Sequence, residues 1–272
     1  MIKKFLPLAI LLLTMLPRSA SGGDDSTQTV RFFPGTKLFR PFTADALSHN
    51  ISVSRIIDNR DWIGTIGASV PLLTVHPPGA AELQLSVAVT TFNRLIKPPG
   101  LTVYTIDYKV DIPVDFRMGD LALRFAFGHY SCHFVDDGIE IIGKRSIQSM
   151  KDDLWMGVTY DVPPLGGHVY AAGFYFYNNY PMRDAHWQFQ GGVEMGNLPV
   201  TDFATAYAAI DVKLKQEVHW GTTRSLQLGF HLFQRKNYGL RVAYTLRQGY
   251  DERGQFFDRI ENANMISMFI DL

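Results

Sequence analysis

Three side chains capable of chemistry stand two residues apart: His129, Ser131 and His133, in the run Phe127-Gly-His-Tyr-Ser-Cys-His-Phe134. A hydroxyl beside an imidazole is the pairing from which a serine nucleophile is made, the imidazole taking the proton as the oxygen attacks. In an extended strand, residues two apart share a face with Cα atoms about 7 Å apart. His129 can therefore reach the Ser131 hydroxyl. Four residues along the same strand, His129 and His133 are about 13 Å apart, too far to share one zinc ion unless other ligands fold in. Downstream, Gln148 and Asp152 share a parity and come opposite this group if the chain returns as a hairpin over 135–147. Either can hold the imidazole in one tautomer, and Gln148 is taken as the third catalytic member beside Ser131 and His129. The acidic stretch Asp136, Asp137 and Glu140 offers oxygen ligands of the kind calcium takes, without EF-hand spacing. No other cofactor is indicated. The chain has no Gly-x-Ser-x-Gly elbow, no phosphate-cradling glycine loop and no His-Glu-x-x-His.

The elements that must carry these residues are strands. From Thr102 to Phe116 the chain alternates: Tyr104, Ile106, Tyr108, Val110, Ile112, Val114 and Phe116 are apolar, while Thr105, Asp107, Lys109, Asp111 and Asp115 are polar. A strand sends successive side chains to opposite faces, so the segment has one apolar and one charged face. The pattern recurs in Leu121 to Phe127 against Arg124, in Ile210, Val212 and Leu214 against Asp211, Lys213 and Lys215, and in Leu240 to Leu246 against Arg241 and Arg247. Twelve strands are predicted, at 51–59, 62–75, 81–93, 102–117, 120–134, 148–161, 167–179, 186–196, 205–216, 224–235, 238–248 and 263–272. Before them, 31–49 is punctuated by proline and makes a poor strand. Trp62, Trp155, Trp187, Tyr180 and Tyr238 fall near predicted strand ends, where an interfacial girdle would place them.

The chain opens with Lys3-Lys4, an apolar run from Phe5 to Leu16 and small residues after Pro17, the three parts of a secretory signal with cleavage near Ala20. The run is shorter than the roughly 20 residues a membrane-spanning helix needs. Taking away Lys3, Lys4 and Arg18 leaves a mature chain with three more acidic than basic residues, which disfavours nucleic-acid binding, since that needs a basic surface. The single Cys132 permits no intrachain disulfide. A leader followed by repeated alternation predicts an all-β fold, a transmembrane antiparallel β-barrel of about twelve strands in a Gram-negative outer membrane. The divisions are a signal at 1–20, a periplasmic or plugging segment at 21–49 and the barrel at 50–272. In such a barrel 118–120 and 163–167 are short periplasmic turns, and 135–147 and 249–262 are outer loops. Without a bulge, His129, Ser131 and His133 then face lipid, and the inward charges pair and fill the lumen.

Two resemblances extend this reading. Phe33-Pro-Gly-Thr-Lys-Leu-Phe-Arg-Pro-Phe-Thr-Ala-Asp45 resembles the opening motif of an uncharacterised family of Gram-negative outer-membrane barrels. That family also carries a His-x-Ser-x-His segment leading to an acidic pair, matched here by His129, Ser131, His133, Asp136 and Asp137; the likeness implies an outer-membrane location and no known activity. The His129-x-Ser131 spacing on a lipid-facing strand is also similar to the active site of outer-membrane phospholipase A, a twelve-stranded barrel. In that family Asn-Gly follows the serine, where this chain has Cys132-His133, and a further Asn, for which Gln148 stands here, orients the histidine. The resemblance implies a serine acyl hydrolase. The reading of the residues themselves is a structural or binding barrel, with a lipid acyl hydrolase and a narrow or plugged channel as alternatives. Whether the chain is an enzyme and which oligomer it forms stay open on the sequence. The partners expected are outer-membrane lipids and the barrel assembly machinery, to which the final strand would be presented, with no nucleic acid.

Overall fold

The computed structural model describes residues 29–59, 61–77, 81–96, 100–143, 145–235 and 238–271. The leader read at 1–20, residues 21–28 and Leu272 lie outside the described residues. The strands are β1 (Thr29–Phe32), β2 (Ile51–Ile56), β3 (Trp62–His76), β4 (Glu82–Ile96), β5 (Thr102–Met118), β6 (Leu121–Phe134), β7 (Ser149–Val162), β8 (Gly167–Tyr180), β9 (Trp187–Thr201), β10 (Ala204–Lys215), β11 (Gly221–Arg235), β12 (Tyr238–Gly249) and β13 (Ala263–Asp271). A short helix, α1 (Asp136–Ile142), lies between β6 and β7. Each strand from β2 to β13 pairs antiparallel with the next in sequence, and β13 returns to β2, closing a twelve-stranded barrel. All twelve predicted strands are present, with ends moved by a few residues.

β1 is an addition that the alternation did not announce. β2 pairs with β3 only from Ser52↔Thr65 to Arg55↔Trp62, so the far end of the long β3 has no partner there. β1 supplies it, pairing Thr29↔His76 through Phe32↔Leu73.

The two strand faces are inverted relative to a soluble protein. Ile66 (68% exposed), Leu154 (56%), Met156 (54%), Phe125 (48%) and Ile266 (56%) point outward, whereas Thr90, Asp107, Asp115, Asp211 and Lys213 are buried inside. A belt of apolar side chains turned outward with charge enclosed is the pattern of a wall facing lipid. One aromatic departs from the expected girdle. Trp155 lies mid-strand between the outward Leu154 and Met156, so parity turns it into the lumen, where it is buried.

Residues 33–37 lead from β1 to the barrel and 38–50 enter that lumen, without regular secondary structure. A segment of this kind must find partners for its backbone polar groups outside itself, and the wall provides them. Leu38 N donates to Gln84 Oε1 (3.1 Å), Gln84 Nε2 donates to Thr36 O (2.9 Å), Arg117 donates to Leu38 O (3.0 Å) and Lys109 donates to Leu47 O (3.1 Å). Phe42 stacks on Tyr170 at 4.1 Å between centroids, and Phe39 packs edge-on to Trp155 beneath the Arg124 guanidinium. His49 bridges Thr90 (2.6 Å) and Asp111 (2.7 Å).

The other mouth is closed by the connection 250–262. Glu252 turns inward to Lys213 (2.8 Å) and Lys215 (3.3 Å), and Lys213 also meets Asp45 of the inner segment (2.6 Å). One buried ammonium thus joins the two segments that fill the barrel. Among the charges expected to pair inside, Asp211 instead accepts from the Tyr170 hydroxyl (2.6 Å) and Gln190 (2.7 Å).

Lys213→Ala leaves Asp45 and Glu252 buried without their shared cation and should cost about 3–5 kcal/mol, read as a lowered temperature of the heat-dependent gel shift of the refolded protein. Burial alone would raise the pKa of Asp45 and of Glu252, but Lys213 outweighs it and holds both below the usual carboxylate range. Their contribution is therefore complete above the unfolded-state values near pH 4 and is lost as pH falls further. Trp155 fluorescence, reporting on the Phe39 and Phe42 contacts, should stay constant from neutrality to about pH 5 and change below about pH 4.

Candidate active site on the outer face

β6 and β7 pair in unbroken register, with Leu121↔Tyr160 at one end and Cys132↔Ser149 at the other. Ala122, Ala126, Tyr130 and Cys132 are buried toward the lumen, so Phe125, Phe127, His129, Ser131 and His133 share the outward face. They approach the end of the barrel that carries the long connections. Ser131 lies opposite Tyr108 of β5 and Met150 of β7. His133 is exposed and meets the Tyr108 ring edge-on at 5.8 Å.

His129 lies directly opposite Asp152, and its Nδ1 is 2.6 Å from Asp152 Oδ1. The second carboxylate oxygen accepts from Asn178 Nδ2 of β8 at 2.8 Å. Nδ1 is thereby fixed as the protonated nitrogen facing a carboxylate, and Nε2 remains without a partner among the described residues. This is the division of labour in a Ser-His-Asp site: the acid orients and the far nitrogen accepts the nucleophile's proton. No hydrogen bond joins Ser131 Oγ to His129 among the described residues; such contacts commonly tighten only when substrate is present.

Gln148 does not take the place expected of it. It precedes β7, is exposed, and the imidazole's partner is Asp152. The reason is register. The pairing carries β7 as far as Ser149, and the residue across from His129 is three positions further along that strand. The acidic stretch is also arranged differently from a loop. Asp136 and Glu140 are exposed on α1, and the Asp137 side chain lies outside the described residues. Among the described residues no group of three or more His, Cys, Asp or Glu could hold a metal ion.

The lumen side braces this hairpin. Beyond the last β6–β7 pair, Gln255 of the 250–262 connection donates to Cys132 O (2.7 Å) and Ile147 O (2.8 Å) and accepts from Ile147 N (3.0 Å), replacing the missing rungs of the ladder. Gly254 lies so close that an added Cβ would fall 2.2 Å from Cys132 Sγ and 2.3 Å from Ser149 Oγ. Sequence reasoning missed Gln255 and Asn178. Neither belongs to a motif, and both matter only through where the fold puts them.

The comparisons with known proteins complete the description. Residues 20–266 match the family described as "Protein of unknown function (DUF1207)". The chain belongs to this family. No curated protein matches it by sequence. Among solved structures, the calcium-bound outer membrane phospholipase dimer of Salmonella typhi aligns over 82% of this chain and 90% of its own, with TM-score 0.56 and 11% identity. Outer membrane phospholipase A of Escherichia coli aligns with TM-score 0.55 and 11% identity over 82% of this chain and 92% of its own. An active-site mutant of the Escherichia coli enzyme gives TM-score 0.54 and 12% identity over 86% and 93%. At such identities the likeness establishes this DUF1207 chain as sharing their barrel fold.

The outward parity of Ser131 is directly testable. In a Cys132→Ala background, Ser131→Cys in the vesicle-inserted protein should react with a lipid-soluble maleimide, whereas wild-type Cys132, 2% exposed, should stay unlabelled until the barrel is unfolded. Labelling of Cys132 in the folded barrel would reverse the assignment of faces.

Proposed function

We propose that this chain is an acyl-ester hydrolase of the Gram-negative outer membrane, acting on lipid from the outside of its barrel. The observation that carries the reading is the His129–Asp152 hydrogen bond on the lipid-facing side, with Ser131 two residues along the same face. The leader-like N-terminus, the apolar outer belt and the phospholipase fold support the location. In the reaction, Ser131 Oγ attacks the ester carbonyl while His129 Nε2 takes its proton. The tetrahedral intermediate collapses, the alcohol leaves with the proton from His129, and an acyl-serine remains. Water, deprotonated by the same nitrogen, then releases the fatty acid and restores the serine. Asp152 keeps the imidazole in the required tautomer and balances the imidazolium.

Geometry also favours a membrane lipid over a soluble ester. Below Ser131 the outward side chains are Phe127, stacked along Tyr177 of β8 at 6.4 Å, and then Phe125 and Leu123. An acyl chain lying against them would run toward the membrane centre with its ester at the depth of the serine. Among the described residues no group of three or more His, Cys, Asp or Glu is placed to hold a metal ion, and no step is routed through a metal. The inner segment and the 250–262 connection narrow the lumen and count against a wide pore, while a cavity of about 600 Å³ remains beside the inner segment, lined by Lys109, Asp111, Arg124 and Arg241.

The test is hydrolysis of phospholipid in mixed micelles by the refolded full chain, run with calcium and with chelator. Ser131→Ala should lower the rate by about a thousandfold or more and Asp152→Ala by about a thousandfold, while Gln148→Ala leaves it unchanged. A Ser131→Ala protein as active as wild type would end this reading.

A further inference from the structure

The β7–β8 ladder runs in regular register from Val162↔Gly167 to Asp153↔Phe176, and the next pair is Asp152↔Asn178. Tyr177 is therefore an extra residue, a bulge on β8. Bulges reverse the alternation beyond them and re-aim side chains. Phe174 and Phe176 point into the lumen, and counting on from them would send Asn178 inward and leave Tyr177 opposite Asp152. The bulge instead turns both Tyr177 and Asn178 outward, and it is Asn179 that is buried, donating to Ala185 O at 2.7 Å. The consequence is specific. Asp152 has two oxygens; His129 takes one and Asn178 the other. A carboxylate held at both oxygens cannot rotate its plane away from the imidazole, so the His129 ring is held as well.

We propose that Asn178, placed by the β8 bulge, is a positioning residue of the hydrolytic site, setting the orientation of His129 through Asp152; the proposal rests on the hydrolase reading above. It touches neither substrate nor nucleophile. Its effect falls on the proton transfer from Ser131, which depends on where Nε2 points, and not on lipid binding.

The experiment compares refolded wild type with Asn178→Ala and Asn178→Asp, the second keeping the size of the side chain but removing the donor. Folding is verified by heat-modifiability, and Ser131→Ala is carried alongside. Two readouts are taken: kcat against KM on phospholipid micelles, and the 15N resonances of His129 in labelled protein. The expected result is a fall in kcat of about tenfold with KM unchanged, and loss of the single Nδ1-protonated tautomer of His129, in both variants. If Asn178→Asp alone refolds, the same two changes are required of it. Unchanged kcat and unchanged His129 resonances in a folded variant, with Ser131→Ala inactive, would overturn the proposal and leave the hydrolase reading standing. Full activity in Ser131→Ala would overturn both, and the His129 spectra would then tell whether Asn178 orients a purely structural pair.

Discussion

A sheet immersed in lipid has no solvent to satisfy its polar groups, and closure into a barrel is the way strands meet that demand. Closure satisfies the backbone but fixes the side chains too, because alternate residues must face either lipid or lumen with no third choice. The charged positions of twelve strands are thereby driven into one interior. Such an interior is wide enough that side chains alone do not fill it, and here the chain itself occupies part of it, beside a cavity of about 600 Å³. The inner segment brings Phe39 and Phe42 to Trp155 and Tyr170, and Asp45 to Lys213. The 250–262 connection brings Glu252 to the same ammonium from the opposite mouth. A buried lysine with two carboxylates is satisfied only while both segments are in place, so the two closures are energetically one.

The candidate site is built by exception to the same rule. On the outward face, where Leu, Ile and Phe prevail, His129, Ser131, Asp152 and Asn178 form one polar island across three adjacent strands. Directly behind it on the lumen side, Asp153 and Asp111 press against Gly128, whose missing Cβ leaves room for both carboxylates, and Gln255 ties the end of the hairpin. The lumen contacts and the outer site are two sides of the same strands, and the packing of one stiffens the platform of the other.

The alternation from Tyr104 to Phe116 and its repeats made the barrel legible in the sequence, because a period of two survives any uncertainty about strand ends. The same count placed Ser131 and His129 on the outer face, with Asp152 among their candidate partners. It could not choose Asp152 over Gln148, since that depends on the register in which the hairpin closes. Trp155 was misread as a girdle residue although it lies midway along the predicted 148–161 strand, at a parity that points inward. Asn178 was not legible at all, because the inserted Tyr177 reverses the phase of β8 and no residue type announces it. β1 was equally hidden, its place set by the shortness of β2.

The island differs from an ordinary interfacial rim in carrying a carboxylate, Asp152, on the outward face. Histidine or serine near the headgroups is inexpensive, but a carboxylate on a lipid-facing wall is unfavourable unless its charge is compensated. Asp152 brings that cost, and the structure meets it with an imidazole, an asparagine and a bulge, where an apolar residue opposite His129 would have required none of them. Stability alone selects for the simpler wall. What the arrangement provides is an imidazole with Nδ1 anchored on Asp152 and Nε2 without a partner among the described residues, two positions from a hydroxyl on the same outward face. Pre-organised proton transfer is the use that the hydrolase reading gives to this arrangement.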